Sequence, residues 1–161
     1  MIAAMSFNGG TMKLNGVAEG TTPSAGVGAL SLSSSSSIDL TSTSLLHFGA
    51  SNLQTWAGTL NILNWNGTLV TGGGAEELLF GNNVTSLTAA QLMEIQFTNP
   101  AGLPAGSYLA TFGTVADGEI VPGVPIPEPA TWISGALVAL VISWSQRQRL
   151  RSVLRSRTAV G

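Results

Sequence analysis

The chain has 161 residues, of which only 9% are charged, and it contains 20 glycines, one histidine and no cysteine. These counts exclude thiol catalysis and disulfide scaffolds, leave few groups for acid–base chemistry, and predict neither a metal site nor a cofactor. All eight acidic residues and the one lysine, Lys13, lie in residues 1–146, whereas residues 147–161 contain five arginines and no acid. This asymmetry predicts two parts with different surroundings, and the first offers no basic surface for nucleic acid.

The N-terminus lacks the features of a secretory signal, because residues 1–10 contain no basic residue and no apolar run of seven or more. Two interpretations stay open. In the one that we favour, Met1 is an internal methionine of a longer chain, and residues 1–25 belong to a stacked β unit whose predecessor is missing, which leaves an open edge. In the other, the C-terminal segment targets the chain by itself.

Residues 1–120 are predicted to form a β-rich domain. Apolar and polar residues alternate, as they do in half-buried strands, in residues 26–37, 38–41, 58–62 and 108–112, and residues 78–80 are typical of a short buried strand. The apolar phase changes after Ile62, because Leu63 and Trp65 have the other parity, which predicts a β-bulge near Leu63. Turns are predicted at Asn66-Gly67 and at Gly72-Gly73-Gly74.

One short helix is predicted over residues 88–94, with Thr88 as its N-cap and Gln91 at the capping-box position. The segment Leu-Leu-His-Phe-Gly at residues 45–49 is echoed by Leu-Leu-Phe-Gly at residues 78–81, about 32 residues later. Many short strands with glycine, asparagine, serine and threonine between them and few charges favour a short parallel β-solenoid, in which each coil stacks on its neighbours.

Few side chains in this domain are candidates for chemistry. A lone histidine between apolar residues, such as His47, is more often a strand residue than a ligand. Glu76 and Glu77 are adjacent, so on a strand they point to opposite faces, and a solvated turn is favoured over an acid–base pair. Trp56 and Trp65 are expected in the core rather than as sugar-stacking platforms. A polysaccharide hydrolase would need convergent carboxylates, which the sequence does not suggest.

Residues 121–129 are predicted to be a linker, because four prolines within eight residues favour extended backbone. Residues 130–146 carry no charge and span about 25 Å as a helix, which predicts one transmembrane helix with Trp132 and Trp144 at the two membrane interfaces. A buried helix of a soluble core would need a large partner surface instead. Residues 147–161 are predicted to be a cytoplasmic tail, retained by the arginines that follow the helix, Arg147, Arg149, Arg151, Arg155 and Arg157.

The order of these C-terminal features resembles the PEP-CTERM protein-sorting signal of Gram-negative bacteria, in which a Pro-Glu-Pro element precedes an apolar helix and an arginine cluster. The similarity covers residues 124–157, with Pro127, Glu128 and Pro129 as the Pro-Glu-Pro element. The resemblance implies recognition of these three residues by an exosortase, a membrane cysteine protease that acts on its substrates transiently. It also implies removal of the helix and tail, and export in a bacterium that makes exopolysaccharide.

Residues 45–121 resemble the last part of the autotransporter-type repeat passengers found in many PEP-CTERM proteins. The matching elements are His47-Phe48-Gly49, Gly58-Thr59-Leu60-Asn61-Ile62, Asn64-Trp65-Asn66-Gly67, Gly72-Gly73-Gly74, Leu87-Thr88-Ala89-Ala90-Gln91-Leu92, Phe97 and Gly118-Glu119-Ile120-Val121-Pro122. The resemblance implies that residues 88–94 and the strands around them form the capping portion of the solenoid.

Together these features predict a non-enzymatic bacterial surface or extracellular-matrix protein. It would be an inner-membrane precursor first and would then reach the cell envelope, the cell surface or the medium. The expected partners are the exosortase, the lipid bilayer and exopolysaccharide, and not nucleic acid. The alternative from a different class is an unprocessed, tail-anchored envelope adhesin or structural protein that keeps its helix.

Overall fold

The structure is a computed structural model that describes residues 4–20, 26–114 and 118–126. The chain divides into two compact units, Met1–Ile126 and Pro127–Gly161, and the second unit lies outside the described residues. The predicted transmembrane helix over residues 130–146 and the arginine tail therefore lie outside them too. No helix within the described ranges is long and apolar enough to cross a membrane.

The described residues form a mainly β structure, as predicted. Its elements, in chain order, are Met5–Asn8 (β1), Thr11–Asn15 (β2), Ala18–Glu19 (β3), Val27–Ser34 (β4), Ser36–Thr41 (β5), Leu45–Gly49 (β6), Leu60–Leu63 (β7), Glu77–Phe80 (β8), Ala89–Met93 (α1), Ile95–Thr98 (β9), Ser107–Phe112 (β10) and Ile120–Pro125 (β11).

Most of the strands pair in parallel and fall into three ladders. The first ladder contains β1 and β4, extended by a bridge from Leu32 to Trp56. The second contains β2, β5, β7 and β9, and the third contains β3, β6 and β8. The first residues of β4 belong to the third ladder, because Val27 lies opposite Phe48 and Ala29 lies opposite Gly49 in β6, and the rest of β4 continues into the first ladder. With β4 divided in this way, the chain passes through the three ladders in the same order each time, and each segment pairs with the segment one pass earlier. At the far end, β9, β10 and β11 pair antiparallel.

Strand alternation builds a continuous apolar core. In the second ladder Ile38 lies opposite Ile62, which lies opposite Phe97, and all three are fully buried. In the third ladder the aromatic rings of Phe48 and Phe80 stack with their centroids 5.2 Å apart. Burying each such side chain contributes about 1.5–3 kcal/mol to folding, so these ladders are the main source of stability.

The echoed sequence of residues 45–49 and 78–81 corresponds to stacked strands. In β6 and β8, Leu46 lies opposite Leu78 and Phe48 lies opposite Phe80, an offset of 32 residues. His47 lies in β6 and is 4% exposed, which confirms its prediction as a strand residue. The spacing between the two echoed segments therefore equals the length of one pass of the chain through the three ladders.

Buried serine hydroxyls satisfy backbone groups at the corners between ladders. Ser36 Oγ accepts from Gly9 N at 3.1 Å, and Ser44 Oγ accepts from Gly16 N at 3.2 Å. Ser51 Oγ accepts from Leu30 N at 2.9 Å, and each hydroxyl also donates to a carbonyl of its own corner. In every case the N–H belongs to the previous pass of the chain. The serines therefore join successive passes where no strand pairing can do so.

The predicted helix is confirmed, and its capping box is complete. Thr88 Oγ1 accepts from Gln91 N at 3.1 Å, and Gln91 Oε1 accepts from Thr88 N at 2.8 Å. The Gln91 amide also donates to Ser51 O at 2.8 Å and to Gln54 O at 3.1 Å. The N-cap thus fixes the helix and connects it to the loop after β6.

The predictions for the end of β7 and for the start of the linker were wrong. The β-bulge predicted near Leu63 is absent, because the register of β7 is continuous with both neighbouring strands. The strand ends instead, and the next residue, Asn64, adopts a φ of +58°, which turns Trp65 into the core. The linker predicted from Val121 begins as strand β11, which pairs with β10. Because β11 is an edge strand, it tolerates its prolines.

Candidate functional site

The residues predicted to carry the sorting signal lie outside the described residues. These are the recognition residues Pro127, Glu128 and Pro129, the interface residues Trp132 and Trp144, and the anchoring residues Arg147, Arg149, Arg151, Arg155 and Arg157. Within the described residues, the most unusual polar chemistry surrounds a glycine-rich segment over residues 66–74, which we call the glycine loop.

The glycine loop is a tight hairpin-like loop with antiparallel arms, and it lies between β7 and β8 in the sequence. Gly67 and Gly74 form an antiparallel bridge, and Thr68 N donates to Gly73 O at 2.6 Å. Gly72 and Gly73 have φ values of +85° and +76°, in the left-handed region that glycine adopts without strain. The turn at the tip of the loop lies at residues 69–71, so the turns predicted at Asn66-Gly67 and at Gly72-Gly73-Gly74 were both wrong in position, and Gly67 and Gly74 form the bridge that flanks the tip.

Glu119 lies beneath the glycine loop and is fully buried. Its Oε2 accepts from Gly73 N at 2.6 Å, and its Oε1 has no hydrogen-bond partner among the described residues. A Cβ atom at Gly72 would contact the Glu119 carboxyl group, and the φ of +85° at this position also favours glycine. The loop backbone and this carboxyl group are therefore fitted to each other.

Burial raises the pKa of Glu119 from 4.5 to about 7. The hydrogen bond from Gly73 N opposes this rise in pKa, because it favours the charged form, and the nearby Glu77 carboxylate adds to it by repulsion. At neutral pH the carboxyl group of Glu119 is therefore partly protonated. The contact between the glycine loop and the antiparallel end of the domain becomes sensitive to pH in the neutral range.

Glu76 is also buried, with 5% of its surface exposed, so the prediction of a solvated turn was wrong for this residue. Its Oε1 accepts from Thr43 N at 3.1 Å, in the corner before β6, and its Oε2 has no partner among the described residues. The Glu76 side chain thus accepts the hydrogen bond of a backbone N–H at a corner, in place of a carbonyl group from a neighbouring strand. Glu77, the first residue of β8, is half-buried.

Both tryptophans contribute to packing, as predicted. Trp65 is 1% exposed and packs edge-on against Phe97, with centroids 5.6 Å apart. Trp56 is half-buried, packs against Phe80, and donates from Nε1 to Leu30 O at 2.9 Å. Gly67 crosses close to the Trp65 ring, where an added Cβ would lie 2.6 Å from Cζ2. The buried Trp65 Nε1 has no partner among the described residues.

The two buried carboxyl groups are fixed by different parts of the chain. Glu119 is bound by Gly73 in the glycine loop, whereas Glu76 is bound by Thr43 in an earlier corner. In residues 4–20, 26–114 and 118–126, no group of three or more histidine, aspartate or glutamate residues could hold a metal ion. The arrangement joins the loop to the domain, and both carboxyl groups are buried.

Comparison with protein-family models, with curated proteins and with solved structures finds no match to this chain.

Proposed function

We propose that the chain is an exported, non-enzymatic bacterial surface or matrix protein, sorted by its C-terminal segment. The observation that carries this proposal is the sequence order of a Pro-Glu-Pro element, an uncharged stretch over residues 130–146 and five arginines. Its resemblance to a PEP-CTERM signal assigns an exosortase as the transient partner and the bilayer as the site of the precursor. Exopolysaccharide is the further partner that this class of protein meets.

The division of the chain supports this assignment. The first compact unit ends at Ile126, directly before Pro127. A protease reads a short peptide in extended form, and the residue before each proline is biased towards extended backbone. Glu128, which precedes Pro129, is thus suited to presentation as an extended peptide.

We further propose that residues 4–126 form a short β-solenoid that serves as the passenger. We define coil 1 as residues 5–20 and 26–29, coil 2 as residues 30–49 and coil 3 as residues 56–80, with α1 and β9–β11 closing the far end. The repeated order of the three ladders and the serine corners support this interpretation. A scaffold of this kind displays loops and stacks without requiring catalytic groups.

The test is Glu128→Gln in the full chain, expressed in a bacterium that has an exosortase. This change preserves the shape of the side chain and removes its charge, so we expect loss of processing and accumulation of the full-length precursor in the inner membrane. Glu94→Gln, at a half-buried position in the passenger, is the matched control and should be processed as the wild type is.

Intact mass of the mature protein gives the decisive measurement. Processing removes the residues beyond the proline-rich signal, whereas a tail-anchored adhesin keeps all of them. Normal cleavage of the Glu128→Gln variant would contradict recognition of the carboxylate. A wild-type protein that keeps its full mass in the presence of a working exosortase would favour the tail-anchored alternative.

A further inference from the structure

The sequence contains three asparagines that are directly followed by glycine, in Asn8-Gly9, Asn15-Gly16 and Asn66-Gly67. The backbone nitrogen that follows an asparagine can attack its side-chain amide, and glycine obstructs this attack least because it has no Cβ atom. All three asparagines are exposed, so exposure alone does not distinguish them. They differ in what restrains the glycine nitrogen.

At the first two Asn-Gly sequences the glycine nitrogen is bound at a serine corner. Gly9 N donates to Ser36 Oγ at 3.1 Å, and Gly16 N donates to Thr41 O at 3.0 Å and to Ser44 Oγ at 3.2 Å. The two asparagines are also the last residues of β1 and β2, which pair with β4 and β5. Neither nitrogen can turn towards the side-chain amide without breaking its hydrogen bond.

The third Asn-Gly sequence, at the start of the glycine loop, lacks both restraints. Asn66 lies between β7 and the bridge from Gly67 to Gly74, and it belongs to no strand. The hydrogen bond of that bridge is donated by Thr68 N to Gly73 O, and Gly67 N has no acceptor within the part of the chain that the structure describes. The nitrogen of Gly67 is therefore available as a nucleophile, and the exposed Asn66 side chain allows ammonia to leave and water to enter.

We propose that Asn66 is a site of spontaneous and selective succinimide formation, which converts it to aspartate and isoaspartate. Gly67 N attacks Asn66 Cγ, the bond from Cγ to Nδ2 breaks, and the amide leaves as ammonia with the proton that Gly67 N gives up. Water then opens the five-membered ring. Opening at the side-chain carbonyl gives aspartate, and opening at the main-chain carbonyl gives isoaspartate. The reaction consumes only water and needs no oxidant, cofactor or enzyme.

The isoaspartate product changes the base of the glycine loop. It carries the main chain through the former side chain, which lengthens the backbone directly before Gly67. Gly67 has little room to absorb this change, because it crosses close to the Trp65 ring and pairs with Gly74. The two arms of the loop should therefore separate, which releases the hydrogen bond that Gly73 N donates to Glu119.

The test incubates the full chain in detergent micelles in mildly alkaline buffer, which favours loss of the proton from the attacking nitrogen. Peptide mapping by tandem mass spectrometry locates each conversion, which adds about 1 Da because ammonia leaves and water enters. It also distinguishes isoaspartate from aspartate. We expect product at residue 66 to form at least about fivefold faster than at residues 8 and 15, the factor that one hydrogen bond supplies. In guanidinium chloride the three sites should react at similar rates, because folding no longer restrains any of them.

Hydrogen exchange of the separated fractions measures the effect on the glycine loop. Amide exchange in residues 68–73 should be at least about fivefold faster in the isoaspartate fraction than in the unmodified protein. Asn66→Gln is the unreactive control, because glutamine would have to close a larger ring, and its exchange in these residues should not change during the incubation.

Ser36→Ala tests whether the serine corner is what protects the first Asn-Gly sequence. It removes the acceptor of Gly9 N, so product at Asn8 should form about fivefold faster while the rate at Asn66 stays unchanged. An equal rise at both sites would report general unfolding of the variant. In that case the comparison of the three sites within the wild-type chain, which needs no substitution, decides the question.

Ser44→Ala is the matched control for this substitution. Gly16 N keeps Thr41 O as its acceptor when the Ser44 hydroxyl is removed. Asn15 should therefore stay protected, although the same chemical change has been made at the equivalent corner.

Two results would overturn the selectivity of the site. The first is product that accumulates in the folded chain as fast at residue 8 or 15 as at residue 66. The second is an absence of product at residue 66 in the folded chain while the same sequence reacts in guanidinium chloride. An isoaspartate fraction whose residues 68–73 exchange as slowly as in the unmodified protein would overturn the effect on the glycine loop.

Discussion

Replacing Glu119 with glutamine should make the protein more stable above neutral pH and should remove a pH dependence that the wild type has. Glutamine has nearly the same shape and can still accept the hydrogen bond that Gly73 N donates to Oε2. It cannot ionise. The substitution therefore leaves the contact with the glycine loop in place and deletes the buried negative charge.

The magnitude follows from the pKa of Glu119, which burial raises from 4.5 to about 7 in the folded protein. Between these two values the folded state holds a proton that the unfolded state has released, so stability falls as pH rises. Each pKa unit corresponds to 1.36 kcal/mol, and the shift therefore corresponds to about 3 kcal/mol. This contribution is fully present below pH 4.5 and is lost as pH rises through about 7.

The assay is urea unfolding followed by tryptophan fluorescence, since Trp65 is buried in the core. The free energy of unfolding of Glu119→Gln minus that of the wild type should grow by about 3 kcal/mol from pH 4 to pH 8 and then level off. Taking this difference removes the shared contribution of the other carboxylates. A difference that stays constant with pH would refute the argument.

The Glu77→Gln variant tests the second cause of the raised pKa. Repulsion from the Glu77 carboxylate adds to the effect of burial on Glu119. Removing that charge should move the upper end of the pH transition to lower pH and reduce the total change in stability. A larger pH dependence in this variant than in the wild type would show that Glu77 does not act on Glu119 through its charge.

Two further substitutions test the packing by urea unfolding. Phe80→Ala removes a fully buried ring stacked on Phe48 and should cost about 3–5 kcal/mol, and a loss below 1 kcal/mol would contradict the core assignment. Gly67→Ala places a Cβ 2.6 Å from the Trp65 ring and should destabilise more than Gly73→Ala, which meets open space and costs about 1–2 kcal/mol through its positive φ. Equal losses would argue against the close approach to Trp65.

The repeating features of this fold were predictable from the sequence, because they leave periodic signals. Alternation placed Ile38 and Ile62 on the buried face, and the echoed segments gave the spacing of stacked strands. The capping box identified α1 from Thr88 and Gln91, because the motif is local and its hydrogen bonds span three residues.

The buried polar residues were not predictable in the same way. Glu119 follows a glycine and precedes two apolar residues, and nothing local indicates that a loop more than 40 residues earlier covers it. Glu76 was expected in a solvated turn because it comes soon after three glycines and, next to Glu77, could not form a convergent acid–base pair on a strand. In the structure it accepts from Thr43 N at an earlier corner. The apolar phase changes at Asn64 because a strand ends there. A β-bulge would give the same sequence pattern, so the pattern alone cannot distinguish the two.

The serine corners explain how a chain with so few charges builds this domain, and they explain where it is vulnerable. A serine hydroxyl is short enough to be buried at a corner and can accept from one pass while it donates to its own, as Ser36, Ser44 and Ser51 do. Corners built in this way need no ion pairs. Because the domain has so few charged residues, β1 and β2 also have no charged side chain directed against a new strand.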